Sequence, residues 1–429
     1  MKRRAAVVLF AVVAAISLFL APAYASGRHH RGHGRVLVVD NEHRHRSCLG
    51  TRDPFDTIQG AVDVARSGAT IWVCPGLYEE TVKVETPHLT LKGANAGRDG
   101  TRSGRHRESI VSHLDPDGTV QLLADDITWG GFAILGVAGA QNGPGMYTSP
   151  DHSGYVVRDT IFQDNGVGLH LGANGKAPTI VCRNRFVANN EFEPGGGFGI
   201  FSDEGARKVL ITYNRFEEHN GAAVFFADRG ATQQEVLIDH NKSVDDKSFA
   251  TIYASTRVRV THNSVRARVG PQDLADPASA IFIGARNDRI LVHGNRVHSA
   301  RGNGIDVSPS PEPNRNLRPK APTNVTISKN KAEHAGLAGL HMATGTAHVA
   351  VTANTALDNT KWDCQDESTG TGTAGTANTW TDNLGGTSSP AGLCSPPPTT
   401  DQPGHHHKKH KKKHHKQDPC TCQKHPKAF

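Results

Sequence analysis

Val209-Leu210-Ile211-Thr212-Tyr213-Asn214-Arg215-Phe216 reads V-x-I-x-x-N-x-F, and this frame recurs through most of the 429 residues. It returns between Val181 and Phe186 around Asn184. It returns again at Val236, Ile238 and Asn241, at Val258, Val260 and Asn263, and at Ile290, Val292 and Asn295. Val325, Ile327 and Asn330, then Val349, Val351 and Asn354, carry it further. Tyr155, Val157, Thr160 and Phe162, and before them Ile127, Trp129, Phe132 and Ile134, are degenerate earlier copies. Steps between the asparagines from 184 to 354 run from 22 to 35 residues.

A second unit, small-h-x-h with h apolar, follows each asparagine. Its copies are Gly168-Leu-His-Leu171, Gly199-Ile-Phe-Ser202, Ala223-Val-Phe-Phe226, Thr251-Ile-Tyr-Ala254, Ala280-Ile-Phe-Ile283, Gly304-Ile-Asp-Val307 and Gly339-Leu-His-Met342. A strand sends alternate side chains to opposite faces, so h and x part company. No helical period runs through the region. Short strands returning every 22–35 residues predict a parallel β-helix, each coil stacked on the next at about 4.8 Å. One coil cannot bury its apolar face, and its neighbours do so for it. Leu169, Ile200, Val224, Ile252, Ile281, Ile305 and Leu340 are the expected inner stack. The turn asparagines are expected to bond the backbone of their own coil and the next, because corner amides lie outside the strand ladders.

These repeats resemble the right-handed parallel β-helix repeat of the pectate-lyase-like superfamily, over about residues 53 to 360. The stretch from Phe55 to Tyr78 is similar to that superfamily's N-terminal part, where a short amphipathic helix plugs the open end of the solenoid. Ile58, Ala61, Val62 and Ala65 have the spacing of one helix face. Such a plug is needed because an open strand edge templates aggregation.

Lys2, Arg3 and Arg4, an apolar run from Ala5 to Leu20 and Ala23-Tyr24-Ala25 predict a cleaved signal peptide over 1–25. A basic flexible segment is expected over 26–46, the solenoid over 47–394, and a Pro-rich linker with a His/Lys-rich tail over 395–429. The body is expected to close around Trp362 and Cys364 and to loosen from Ser368. The net charge of +7 sits on the flanks, with eight lysines between 408 and 427, so the body itself is slightly acidic. That distribution argues against nucleic acid as a partner. No later stretch has the apolar length of a membrane span, which argues against integral membrane contact.

Seven cysteines in an exported chain favour disulfides. Cys48–Cys74 and Cys364–Cys394 are the predicted pairs, each close in sequence. Cys182, on a strand, is expected to be a buried free thiol. Cys420 and Cys422 are left as metal ligands or cross-links.

The outward x positions line up as His170, Phe201, Phe225, Tyr253, Phe282, Asp306 and His341. The first six are the candidate substrate-binding residues, a stripe on which sugar rings stack, unless the insertions at 266–278 and 308–322 fold over it. Asp203, Glu204, Asp228 and Arg229 follow the same strands and are the candidate catalytic residues. Glu204 and Asp228 are equivalent in frame and would crowd, raising a proton affinity or recruiting Ca²⁺. A glycosidase acid pair, or Ca²⁺ acidifying the C5 proton of a uronate, are the chemistries that fit. The alternative is that these carboxylates are solvated and paired with arginine. His240, His262 and His293 sit beside the turns and read as hydrogen-bonding turn residues. In the tail, His405, His406, His407, His410, His414 and His415 are candidate ligands for Zn²⁺, Ni²⁺ or Cu²⁺.

The functional expectation is a secreted or cell-wall-associated monomer that binds or cleaves acidic polysaccharide as a lyase or a glycosidase. The alternative is a non-catalytic adhesive solenoid whose tail binds metal or anionic wall polymer.

Overall fold

The computed structural model describes residues 36–42, 48–137, 143–190, 197–267, 278–313, 317–398 and 420. The expected signal peptide, the tail histidines and Cys422 lie outside the described residues. Every paired strand runs parallel, in three sheets. Sheet I has 13 strands from Val36–Val39 to Thr379–Thr381, sheet II has 11 from Gly76–Tyr78 to Thr355–Leu357, and sheet III has 12 from Val82–Val84 to Ser388–Ser389. Each coil gives one strand to each sheet, and the result is a right-handed parallel β-helix.

The V-x-I positions and the phenylalanine of the frame point inward. Val209, Ile211 and Phe216 are fully buried, and Phe162, Phe186 and Phe216 stack at 4.7 and 4.9 Å with nearly parallel rings. On sheet III, Ile200 lies opposite Val224 and Ile281 opposite Ile305, as the repeat requires.

The asparagines form a continuous buried ladder. Asn184 donates from its backbone N–H to Asn214 Oδ1 at 2.9 Å, while Asn214 Nδ2 donates to the carbonyl of Val181 at 2.9 Å. The same pair of bonds repeats through Asn241, Asn263, Asn295, Asn330, Asn354 and Asn383. Both bonds reach back to the preceding coil, so the ladder ties coils together rather than closing its own turn. The residue before the asparagine takes positive φ in most coils, as in Tyr213, His240 and His262. A second buried file, five residues further on, runs Asn165, Asn189, His219 and Asp246; His219 Nδ1 meets Asp246 Oδ1 at 2.6 Å.

The predicted plug is the helix Ile58–Val64, with Ile58, Ala61, Val62 and Ala65 buried against the first coil. Thr57 Oγ1 accepts from Gly60 N at 3.1 Å, and the Glu80 carboxylate accepts from the Ile58 and Gln59 amides at 2.7 and 2.9 Å. Orphan N–H groups of the first turn are thereby satisfied.

Four expectations need correction. Val36–Val39, assigned to the flexible flank, pairs with Thr70–Val73 as the first strand of sheet I, as its three β-branched valines favour. At the far end the fold persists beyond Ser368. Trp380 Nε1 donates to buried Asp366 at 2.8 Å, and Leu384 bridges Ser395.

The third correction concerns one coil of sheet III. Phe225 pairs with Thr251 and Phe226 with Ile252, so Tyr253 falls beyond the outward position that the frame gave it. Ile252 stacks on Phe226 and Ile283 instead of Val224 and Ile281. The strand begins at Ser248, and Phe249-Ala250, not Thr251-Ile252, holds the small-h positions.

The fourth concerns Cys182. The disulfides Cys48–Cys74 and Cys364–Cys394 form as expected, but Cys182 is bonded to Cys420. Val181 points into the core, so alternation turns Cys182 outward. There it joins Ile180, Leu210, Leu237 and Cys420 in a small apolar cluster outside sheet I. Its burial comes from these outward neighbours and Tyr213, not from the inner core.

Candidate functional site on the outer face of sheet III

The outward row of sheet III reads, in register, Gln121, Tyr147, His170, Phe201, Phe225, Thr251, Phe282, Asp306, His341 and Gln365. Tyr147 meets the His170 ring edge-on at 5.4 Å, and His170 meets Phe201 at 5.3 Å. Phe201 and Phe225 are 5.9 Å apart, with Phe198 stacked on Phe201 and tilted against Phe225 at 4.8 Å. Tyr253, although displaced along the chain, swings back to lie 6.0 Å from Phe225 and 5.5 Å from Phe282. It can do so because Gly284 leaves room: a Cβ there would sit 2.3 Å from the Tyr253 ring. The row is therefore a near-continuous file of rings over six coils.

Coverage of the file is uneven. Phe201 and Tyr253 are buried, whereas Tyr147, His170, Phe225 and Phe282 are partly open. The described part of the 308–322 insertion packs here, with Ala285 donating to the Ser310 carbonyl at 3.1 Å and Arg286 to that of Lys320 at 3.1 Å. It delivers Glu312, which the sequence reading did not single out. Much of 266–278 lies outside the described residues.

Glu312 completes a charged network. Its Oε2 accepts from the Asp228 amide at 2.7 Å, and its Oε1 lies 4.0 Å from Arg229 Nε. Arg229 also faces Asp203 at 3.7 Å and lies over the Phe201 ring at 5.6 Å. Asp203 Oδ1 is 2.8 Å from His170 Nε2. Burial alone would raise the Asp203 proton affinity. The His170 hydrogen bond and the charges of His170 and Arg229 outweigh it and hold Asp203 below the usual carboxylate range.

Glu204 and Asp228 follow paired strands, but their side chains diverge. Glu204 is exposed and accepts from the Tyr147 hydroxyl at 2.9 Å, while buried Asp228 lies 3.5 Å from Arg286. Burial and the Glu204 bond both raise the Tyr147 phenol well above its ordinary value. The four carboxylates are thus matched by Arg229, Arg286, His170 and Tyr147.

Asp306 and His341 form a separate group further along. Asp306 Oδ1 meets His341 Nδ1 at 2.7 Å, and Asp306 Oδ2 accepts from Ser279 and Asn303. Burial pulls the His341 imidazole down, but the Asp306 bond and the charges of Asp306 and Glu367 raise it overall. His170 and His341 remain at opposite ends of the file. Of the predicted site residues, His170, Phe201, Asp203 and Arg229 are brought into one contact group, Phe225 and Phe282 extend it, and Asp306 stands apart. Tyr147 and Phe198 were missed, although Tyr147 sits one strand before His170 in the same file.

A family description, "Right handed beta helix region", matches residues 199–383, in agreement with the three stacked sheets; the chain is a right-handed parallel β-helix protein. No curated protein matches it by sequence. Among solved structures, it is similar to the A-module of mannuronan C-5 epimerase AlgE6 of Azotobacter vinelandii. Identity is 14%, with 77% of this chain and 83% of that one covered and a TM-score of 0.44. A tailspike protein of E. coli bacteriophage HK620, in complex with a pentasaccharide, gives 12% identity, 82% and 67% coverage and a TM-score of 0.47. The catalytic unit of a GH87 α-1,3-glucanase from Streptomyces thermodiastaticus gives 16%, 77% and 66%, with a TM-score of 0.43.

Proposed function

We propose that this is an exported protein that binds an extended acidic polysaccharide along the outer face of sheet III. The observation that carries the reading is the file of rings from Tyr147 to Phe282, spaced at 5.3 to 6.0 Å and bordered by Arg229 and Arg286. Partly open rings in a line offer apolar faces for sugar rings to stack on, and a linear polymer can occupy several at once. Arg229, half exposed, offers a planar fork to a sugar carboxylate beside Phe201. In this reading the arginines serve as the cations of the face, and uronate binding does not require Ca²⁺. Three disulfides suit an oxidising compartment and support export. The protein acts as a monomer in this reading, since one copy carries the whole file.

Binding is tested by titrating pectate, alginate and a neutral glucan with the full chain, with and without EDTA. Uronate binding independent of EDTA is expected, weakened roughly tenfold by Phe225→Ala and by Arg229→Ala. Equal affinity for the neutral glucan, or no effect of either substitution, overturns the reading.

A cleavage step is the second reading. It is favoured by two donor–acceptor pairs on adjacent strands, Tyr147 with Glu204 and His170 with Asp203. A proton acceptor and a proton donor held side by side are what lyase and glycosidase chemistry both require. Ultraviolet absorbance of unsaturated ends reports a lyase, and new reducing ends without that absorbance report a hydrolase. Asp203→Asn is expected to abolish either; turnover that survives it places the chemistry elsewhere.

A further inference from the structure

We propose a transition-metal site on the corner after sheet I, built from Asp239, His240 and His262 and suited to Zn²⁺. It lies on a different sheet from the ring file and is independent of the polysaccharide reading.

Asp239 ends the strand Gln233–Asp239 and pairs in register with Thr212 and Thr261. Its side chain is 7% exposed, yet both oxygens are turned toward histidines that are 46% and 50% exposed. Oδ2 lies 2.6 Å from His240 Nδ1, and Oδ1 lies 3.0 Å from His262 Nδ1. The two imidazoles come from consecutive coils. Each is the positive-φ residue just before a ladder asparagine, Asn241 and Asn263, so the ladder fixes where both rings emerge.

Register then stacks them. The rings are 5.1 Å apart and inclined by 30°. Tyr213, at the same corner one coil earlier, stacks on His240 at 5.1 Å, and His293 lies edge-on to His262 at 5.7 Å. Tyr213 itself packs on the Cys182–Cys420 cluster. One end of the pair is therefore walled by a fixed ring, and the Thr261 hydroxyl holds Asp239 Oδ1 from below at 2.6 Å.

The chemistry of the donor set follows. Two borderline imidazole nitrogens and one hard carboxylate oxygen make a set of the kind Zn²⁺ takes with a fourth position left for water. The three ligand atoms already lie within 4.8 Å of one another. Around a tetrahedral ion with bonds of about 2.1 Å they would sit roughly 3.4 Å apart, which half-exposed rings reach by small rotations. The ion takes the place of the Nδ1 protons that now point at the carboxylate. Those protons move to Nε2 or to water, and no other bond changes. Arg259, on the same strand as Thr261, is a positive charge of that face near Asp239, against which the ion must bind.

The tail histidines are further candidate ligands, so the readout must be resolved by residue. Full-length protein is titrated with Zn²⁺ and labelled with diethylpyrocarbonate, and modification is read peptide by peptide by mass spectrometry. Zinc on Nδ1 leaves the proton on Nε2 and removes its nucleophilic lone pair. His240 and His262 are expected to be protected together, at least about fivefold and with one midpoint, while exposed His298 stays reactive. His262→Ala, a change at a half-exposed position, is expected to abolish protection of His240 with the circular dichroism unchanged. Asp239→Asn should do the same to both histidines. Reactivity of His240 and His262 unaffected by Zn²⁺, or protection of His240 that persists in His262→Ala, overturns the site.

Discussion

Asn214 shows what a single residue of the ladder is asked to do. Its amide accepts from Asn184 N and from Asn184 Nδ2, and donates to the carbonyl of Val181, all in a fully buried corner. Asn214→Ala would strand three polar groups where no strand can reach them. A loss of about 3 kcal/mol is expected in urea denaturation, well above a surface substitution. The Asp306–His341 pair makes a prediction of opposite character. The folded imidazole titrates above its unfolded value of about 6.5. Its stabilisation is thus complete below that pH and is lost as pH rises through the folded value. Asp306→Asn is expected to lower the His341 titration midpoint seen by NMR and to flatten this part of the stability profile. Residues of this kind were legible where they repeat. The ladder was read from spacing alone, whereas Glu312 was not, because it arrives from an insertion that carries no period.

At the scale of elements, the plug helix has only seven residues and cannot hold itself together in water. Thr57 and the Glu80 carboxylate compensate by occupying three of its free N–H groups. Thr57→Ala should cost about 1 kcal/mol. Glu80→Ala should cost more, because two bonds go at once, and both should show as a lowered midpoint in thermal unfolding. The helix was legible because four apolar residues share one face. The coil at Ser248–Ile252 was misread by two residues for the converse reason. Thr251-Ile252-Tyr253 mimics the small-h-x pattern that Phe249-Ala250-Thr251 actually fills, and a period of two cannot tell these registers apart. Tyr253 still reached the file because Gly284 is bare. Gly284→Val is expected to expel the Tyr253 ring, since a Cβ alone would stand 2.3 Å from it. Its effect is read as a change in tyrosine ring-current shifts of Phe282.

The whole molecule was the most legible level. Stacked sheets follow from the repeat, and the repeat is written in the letters. Its one long-range surprise is the bond between Cys182 and Cys420, separated by 238 residues. Alternation around Val181 already placed Cys182 on the outside, but no local pattern names a partner so far along the chain. Non-reducing peptide mapping is expected to recover the peptides containing Cys182 and Cys420 as one species that separates on reduction. Mapping that finds Cys182 alkylated in the native protein would contradict it.

That bond also decides how the molecule carries tension. A pull on the chain beyond Cys420 does not enter at the last coil. It enters through sulfur at Thr179–Cys182 and is passed toward the plug helix. Everything between, including Phe201, Phe225 and Phe282, sits inside a closed covalent ring and hangs slack. A protein pulled between its two ends would keep Phe201, Phe225 and Phe282 unloaded, while the coils before Cys182, Tyr147 and His170 among them, took the strain.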